Sequence, residues 1–136
     1  MPTLNAVDPT PEQIKNFLSH KQADEPVYML NLLKFKDKAT YRDGEDISGR
    51  DAYQRYAEGF ARINGAVTKT IFGGNANAFL IGEGEGEWDA VAIVRYESAE
   101  AMFAAVSSEE YRTIHKHRKA GLAGQLLISC DGAGVF

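Results

Sequence analysis

Two runs of nine residues constrain this chain more than anything else in it. Residues 27–35 read Val-Tyr-Met-Leu-Asn-Leu-Leu-Lys-Phe, and residues 88–96 read Trp-Asp-Ala-Val-Ala-Ile-Val-Arg-Tyr. Both are too short for a typical helix, and neither alternates apolar with polar as a strand does when one face meets water. Near-continuous apolarity over this length marks a strand covered on both faces, hence one in the middle of its sheet. A chain with two such strands needs edge strands to flank them and apolar cover for both faces of the sheet.

Helices and edge strands are legible around these runs. Thr10-Pro11-Glu12 starts a helix with a capping hydroxyl, a proline at the first helical position and an acid favoured by the helix dipole. Ile14, Phe17 and Leu18 give that helix one apolar stripe, and it is expected to end near His20-Lys21, where His20 suits the dipole. Residues 36–47 are polar and contain the turn signal Asp43-Gly44, which predicts a long surface loop. Ser48-Gly49-Arg50-Asp51 resembles a capping box with Asp in place of Glu. Behind it Tyr53, Tyr56, Ala57, Phe60 and Ala61 recur at helical spacing as far as Asn64-Gly65, a left-handed stop signal. Residues 67–72 and 78–81 read as strand, with Gly73-Gly74-Asn75 between them as either a bulge in one long strand or a tight hairpin turn. Residues 82–87 alternate glycine with glutamate and mark an exposed turn. Ser98 caps a helix through Met102, Phe103 and Val106, and Ser108-Glu109-Glu110 restarts or kinks it on the way to Gly121. Residues 125–130 are the last strand, followed by the tail Asp131-Gly132-Ala133-Gly134.

Apart from the first helix, the order is strand, helix, strand, strand, helix, strand. This is the α+β, ferredoxin-like βαββαβ arrangement, whose first and third strands occupy the middle of the sheet. Those are the two runs apolar on both faces, so pattern and topology agree. The 136 residues, 44% hydrophobic and 25% charged, suit one globular domain spanning 1–136. Two helices cover only one face of such a sheet, and a second copy of the chain is the simplest cover for the other, which predicts a homodimer. Acids outnumber lysine plus arginine, 19 to 15, for a net charge of −4. Without a basic stripe this argues against nucleic acid or an anionic membrane as partner. The apolar runs are too short to span a bilayer, and Met1-Pro2-Thr3-Leu4-Asn5 does not begin a readable signal peptide. Cys130 is the only cysteine, which excludes an intrachain disulfide and points to the reducing cytoplasm.

Several of these segments resemble one family. Tyr28-Met29-Leu30-Asn31-Leu32-Leu33-Lys34-Phe35-Lys36 is similar to the first-strand signature of the family called domain of unknown function 1330. Ser48-Gly49-Arg50 with Tyr53 and Tyr56, Trp88-Asp89, Val94-Arg95-Tyr96, and Glu110-Tyr111 followed by His117-Arg118 complete the resemblance, which runs from about Val7 to Ile128. Glu97 departs from it, since the family usually has proline there. The resemblance implies a dimeric α+β barrel and assigns no activity. Related barrels include cofactor-free monooxygenases, lactone isomerases, dehalogenating or dehydrating enzymes and haem-binding enzymes, which is analogy at the level of fold only.

A few residues stand out as able to carry chemistry. Helical rotation places Arg118 between Ile114 and Leu122 and close to the line of Tyr111. Arg118 therefore leaves the centre of an apolar stripe toward the sheet, where a guanidinium needs an anion: a ligand, or a protein carboxylate such as Glu110. His115 borders the same face, whereas His117 points well away from it, so the two cannot share a metal. No metal site is expected. Either histidine can serve as a general acid or base, or simply be a hydrogen-bonded surface group. Asn31 is the lone amide in its strand and either fixes a loop or points into a pocket. Arg95 shares a face with Val91 and Ile93 and contacts a ligand or a salt bridge across the sheet or dimer. Tyr53, Tyr56 and Phe60 form an aromatic stripe that serves either as core or as a pocket rim. The run Gly82-Glu83-Gly84-Glu85-Gly86-Glu87 is not a phosphate loop, because it opens a strand and its glutamates would repel phosphate.

These residues predict a pocket between helices and sheet lined by Asn31, Tyr53, Tyr56, His115 and Arg118. Arg118, Asn31, Tyr56 and Arg95 are the candidate substrate-binding residues, and His115 and Tyr53 the candidate catalytic ones. The first functional reading is a cofactor-free isomerase or oxygenase acting on a small anionic or phenolic metabolite, with no metal. The second is a non-catalytic binding protein using the same pocket. The third is haem binding through His115.

Overall fold

The computed structural model describes residues 7–20, 25–83 and 88–131 of the chain. In order, these form α1 (Pro11–His20), β1 (Val27–Phe35), α2 (Gly49–Asn64), β2 (Thr68–Asn75), β3 (Ala90–Tyr96), α3 (Ala99–Ala105), α4 (Glu109–Gly121) and β4 (Leu122–Cys130). The sheet order is β2-β3-β1-β4, with each neighbouring pair antiparallel. This is the α+β, ferredoxin-like topology, carrying α1 in addition and its second helix in two pieces. The two runs apolar on both faces occupy the centre, as their sequence requires.

Helix starts follow the local chemistry. Thr10 and Gln13 form a reciprocal capping box at 3.1 and 2.9 Å. Ser48, Ser98 and Ser108 each accept the N–H three residues on, at 3.0, 3.0 and 3.1 Å. Ser108 is a true restart, because α3 ends before it and α4 begins after it.

Along β1, alternation sends Val27, Met29, Asn31 and Leu33 toward the helices and Tyr28, Leu30 and Leu32 to the other face. Val27, Met29 and Leu33 are buried there. Val27 and Met29 share one core cluster with Tyr96, Ala99 and Ala105, and Phe17 of α1 packs against it. A second, small-residue cluster of Ala39, Ala52 and Ala120 joins α2 to α4.

That second cluster revises the loop expected at residues 36–47. Ala39 in it is buried, its N–H bonds Ile47 O at 2.9 Å, and Thr40 N–H bonds Ala120 O at 3.0 Å. Lys36 N–H bonds Gly121 O at 2.8 Å, and Gly49 N–H bonds Lys36 O at 3.0 Å. The loop is stitched to the point where α4 turns directly into β4, because small alanines let the backbones meet.

Other expectations change as well. Gly73 and Gly74 are neither bulge nor turn but paired residues of β2, opposite Ala92 and Val91, and the register shifts at Ile71 instead. Residues 78–81 are not strand. The β2–β3 pairing ends at Asn75↔Ala90, Ala76 N–H bonds Asp89 O at 3.0 Å, and beyond that point no sheet edge among the described residues faces the segment. Leu80 and Ile81 are left 97% and 90% exposed. Gly65 is right-handed (φ −61°), because its N–H bonds Ala61 O and extends the helical turn rather than reversing it. β3 starts at Ala90, two residues late, since Asp89 serves as a clamp whose carboxylate accepts Phe35 N–H at 2.8 Å. The predicted turn at 82–87 lies largely outside the described residues, as do the His20 side chain and the tail after Asp131.

Candidate functional site

Arg118 is turned inward from α4. Its side chain is 12% exposed, and Nη2 donates to Gln125 Oε1 at 2.5 Å and to the Val7 carbonyl. Gln125 Nε2 donates to Asn31 Oδ1 at 2.8 Å, and Asn31 Nδ2 donates to the carbonyls of Met29 and Ala92 at 3.2 and 3.3 Å. A polar chain thus runs from α4 across β4 to the middle of β1. The acid beside Arg118 is Asp8, at 3.5 Å and itself 47% exposed, rather than Glu110. Asp8 also holds Lys119 at 2.7 Å, and that bond, the first of its causes, keeps its carboxyl below the ordinary range.

This arrangement carries a stability prediction. Arg118→Met leaves Gln125 Oε1 and the Val7 carbonyl without a donor but strands no buried acid, since Asp8 meets water. The expected loss is about 1–2 kcal/mol, below the ~3–5 kcal/mol of a buried ion pair broken on one side. Urea unfolding of the variant measures it, and a loss of the larger size would mean that Arg118 is paired with a buried carboxylate.

Beside the polar chain lies an aromatic cluster. The Tyr53 ring packs at a tilt against Tyr56 and Phe35, with centroids 5.2 and 5.4 Å away. The Tyr56 and Tyr111 hydroxyls bond at 3.0 Å with their rings edge-on, and the Tyr111 ring lies 5.8 Å from His115. Burial pushes the Tyr53 phenol from 10.0 to about 12, and burial followed by the neighbouring Tyr111 raises Tyr56 further. These phenols are therefore neutral donors at physiological pH, not proton acceptors. His115 behaves oppositely: partial burial, then the Arg118 charge, lowers its pKa below the ordinary 6.5, which favours the neutral imidazole. It makes no hydrogen bond among the described residues, and its ring is only partly buried.

His115 borders two hollows. One, of about 280 Å³, is lined by Val106, Tyr111, Arg112 and His115. The other, of about 680 Å³, is an open groove between α4 and the loop at Thr40–Asp43. His117 faces away and bonds the Tyr41 hydroxyl at 2.6 Å, which pins that loop to α4.

Asn31, Tyr53, Tyr56, His115 and Arg118 are thus gathered on the helix side of the sheet. Of these five, His115 is the one that borders the two hollows described above. Arg95 is separated from them: it lies on the opposite face, 5.9 Å above the Tyr28 ring. Sequence reasoning passed over Gln125, whose signal was the one that singled out Asn31, an amide on the helix-facing side of a strand. It also passed over the Tyr111 phenol and the cations Arg42, Arg112, Lys116 and Lys119, which gather along the larger groove. Among the described residues no three His, Cys, Asp or Glu side chains are placed to hold a metal ion, and no helix is long and apolar enough to cross a membrane.

A family model for DUF1330, a domain of unknown function, matches residues 44–130. The chain belongs to that family. A protein of unknown function from Rhodopseudomonas palustris has a similar solved structure, 28% identical over 96% of this chain and 98% of its own, with a TM-score of 0.87. Two more distant structures share the fold. One is a dimeric, ferredoxin-like protein from Bacteroides fragilis, 12% identical over 81% of this chain and 99% of its own, with a TM-score of 0.51. The other is a dimeric ferredoxin-like protein from Thermobifida fusca, 12% identical over 79% and 91%, with a TM-score of 0.52. No curated protein matches the chain significantly in sequence.

Many residues that carry the family resemblance are structural joints. Ser48 caps α2 and Gly49 permits a backbone contact. Arg50 lies 4.8 Å over Phe35 and bonds Asn75 at 3.1 Å, while Asp89 holds the end of β1. Family membership in DUF1330 therefore speaks for the fold more than for an activity.

Proposed function

We propose that this DUF1330 protein is a homodimer that binds a small anionic or phenolic metabolite at the His115 end of α4. The observation that carries the ligand reading is the His115 imidazole, with no side-chain hydrogen bond among the described residues, bordering both hollows beside the Tyr56–Tyr111 phenol pair. A neutral imidazole accepts a proton, and a neutral phenol donates a hydrogen bond to a developing oxyanion. Those are the two needs of a cofactor-free isomerisation or oxygenation. Arg118, Asn31 and Tyr53 stand behind this pair as supports, since their polar atoms or rings already meet protein partners. In the dimer the sheet faces of two protomers meet, as supported by the apolar row Phe72, Ile93, Leu30 and Ile128 on the side without helices. The two distant relatives described as dimeric agree with it.

Thermal shift with 4-hydroxybenzoate, phenol and a small lactone as probes tests the ligand reading. The native chain should melt several degrees higher with at least one probe, by mass action, and His115→Gln should lose most of that shift. Where a probe is also turned over, the rate should start to fall at a lower pH than an ordinary imidazole would give, because burial and the Arg118 charge lower the His115 pKa. That acid limb, in which His115 gains its proton, should vanish in His115→Gln. A bound probe that is never turned over identifies a binding protein instead. No shift with any probe overturns the ligand reading.

A further inference from the structure

The chain has more acids than bases, yet the fold gathers cations along one groove. Relative to Arg112, Lys116 and Lys119 stand at about +40° and about −20° around α4, so all three share the face that forms one wall. Arg42 comes from the other wall. Lys119 is held by Asp8 at 2.7 Å, whereas Arg42, Arg112 and Lys116 pair with no carboxylate among the described residues. Asp43 is the one acid among the described residues that line the groove. Like charges at i and i+4, as in Arg112 and Lys116, destabilise a helix by about 0.2–0.5 kcal/mol. Neither side chain has a carboxylate within 4 Å among the described residues.

The opposite wall is built in advance. Gly44 N–H bonds Tyr41 O at 3.0 Å with Gly44 at φ +75°, a turn that puts Arg42 at its tip. Tyr41 bonds His117 at 2.6 Å, and Glu45 binds Arg55 through both its oxygens. Thr40 N–H bonds Ala120 O at 3.0 Å. A loop secured to both α2 and α4 fixes the backbone from which the exposed Arg42 side chain projects, so the loop itself loses little entropy when the groove is filled. A merely solvated helix face would need no such wall.

We infer that this groove takes a compact polyanion: a phosphate ester, or a small molecule with two or more carboxylates, whose remaining part reaches the hollow beside His115 and Tyr111. Three unpaired cations in one groove exceed what a single carboxylate neutralises, and two guanidiniums present the paired donors that phosphate and carboxylate oxygens accept. The inference rests on the ligand reading above and names the charge class of its ligand.

Isothermal titration with pyrophosphate, citrate and benzoate at constant ionic strength tests it. Pyrophosphate and citrate should bind at least tenfold tighter than benzoate, and the stronger of the two tells phosphate from polycarboxylate. Arg112→Gln and Lys116→Gln should each weaken that binding at least fivefold, while Lys15→Gln on α1 leaves it unchanged. Benzoate binding as tightly as pyrophosphate overturns the inference but leaves the His115 site standing. So does a response that survives both groove substitutions. A single-stranded oligonucleotide that binds tighter than pyrophosphate, with steep salt dependence, overturns it in favour of nucleic acid.

Discussion

Gly49→Val should lower the melting temperature of the chain by about 10 °C or more. A Cβ on Gly49 would stand 2.2 Å from Lys36 O, 2.7 Å from Lys36 N and 2.7 Å from Gly121 O. Gly121 is bound from the other side, where a Cβ would lie 2.5 Å from Gly49 O and 2.9 Å from Tyr53 N. These obstacles are backbone atoms, which cannot rotate away as a side chain does. They belong to the joint where β1 ends, α2 begins and α4 passes into β4, so relief in one place strains three elements. Overpacking costs about 1–3 kcal/mol where side chains absorb it, and a backbone joint should lie at or above the top of that range. A domain with ~5–15 kcal/mol of stability would then melt about 10 °C lower or more. Gly73→Ala is the contrast: nothing lies within 4 Å of its Cβ, and its change should be within about 0.5 kcal/mol. Circular dichroism melts of both variants check this, and a Gly49→Val protein that melts like the native chain would mean the joint has room.

Ile93→Glu should turn the proposed dimer into a folded monomer. Ile93 sits opposite Leu30 on one side and Phe72 on the other, and Leu30 in turn pairs with Ile128. The described helices lie on the other face of the sheet, and Phe72 and Ile128 are 56% and 47% exposed in the protomer. A carboxylate at the centre of this row meets water in the monomer at little cost. In a sheet-to-sheet dimer it would meet its own symmetry mate in an apolar layer, and buried unpaired charge is among the most unfavourable arrangements a protein can contain. Light scattering should report twice 14.9 kDa for the native chain and 14.9 kDa for the variant, with the far-ultraviolet spectrum unchanged. A native chain that is monomeric at micromolar concentration would refute the dimer. A variant that stays dimeric would place the interface elsewhere, with the exposed segment holding Leu80 and Ile81 as the next surface to substitute.

Local sequence determined the parts of this protein that depend on neighbours in the chain. The serines at 48, 98 and 108 cap helices because a hydroxyl needs only the N–H three residues ahead of it. The two central strands are legible because they are apolar on both faces, which leaves no polar alternation to mistake, and the inward tilt of Arg118 follows from helix geometry alone. Tertiary structure decided whatever depends on a partner distant in sequence. Residues 78–81 have the composition of a strand, but a strand exists only where another edge meets it, and none among the described residues does. The acid beside Arg118 is Asp8, 110 residues away, rather than a neighbour on the same helix. The acidic balance of the chain hid a basic groove, because composition sums charges that the fold then separates. Arg42 joins Arg112, Lys116 and Lys119 only because Ala39, Ala52 and Ala120 are small enough to let the loop close on α4.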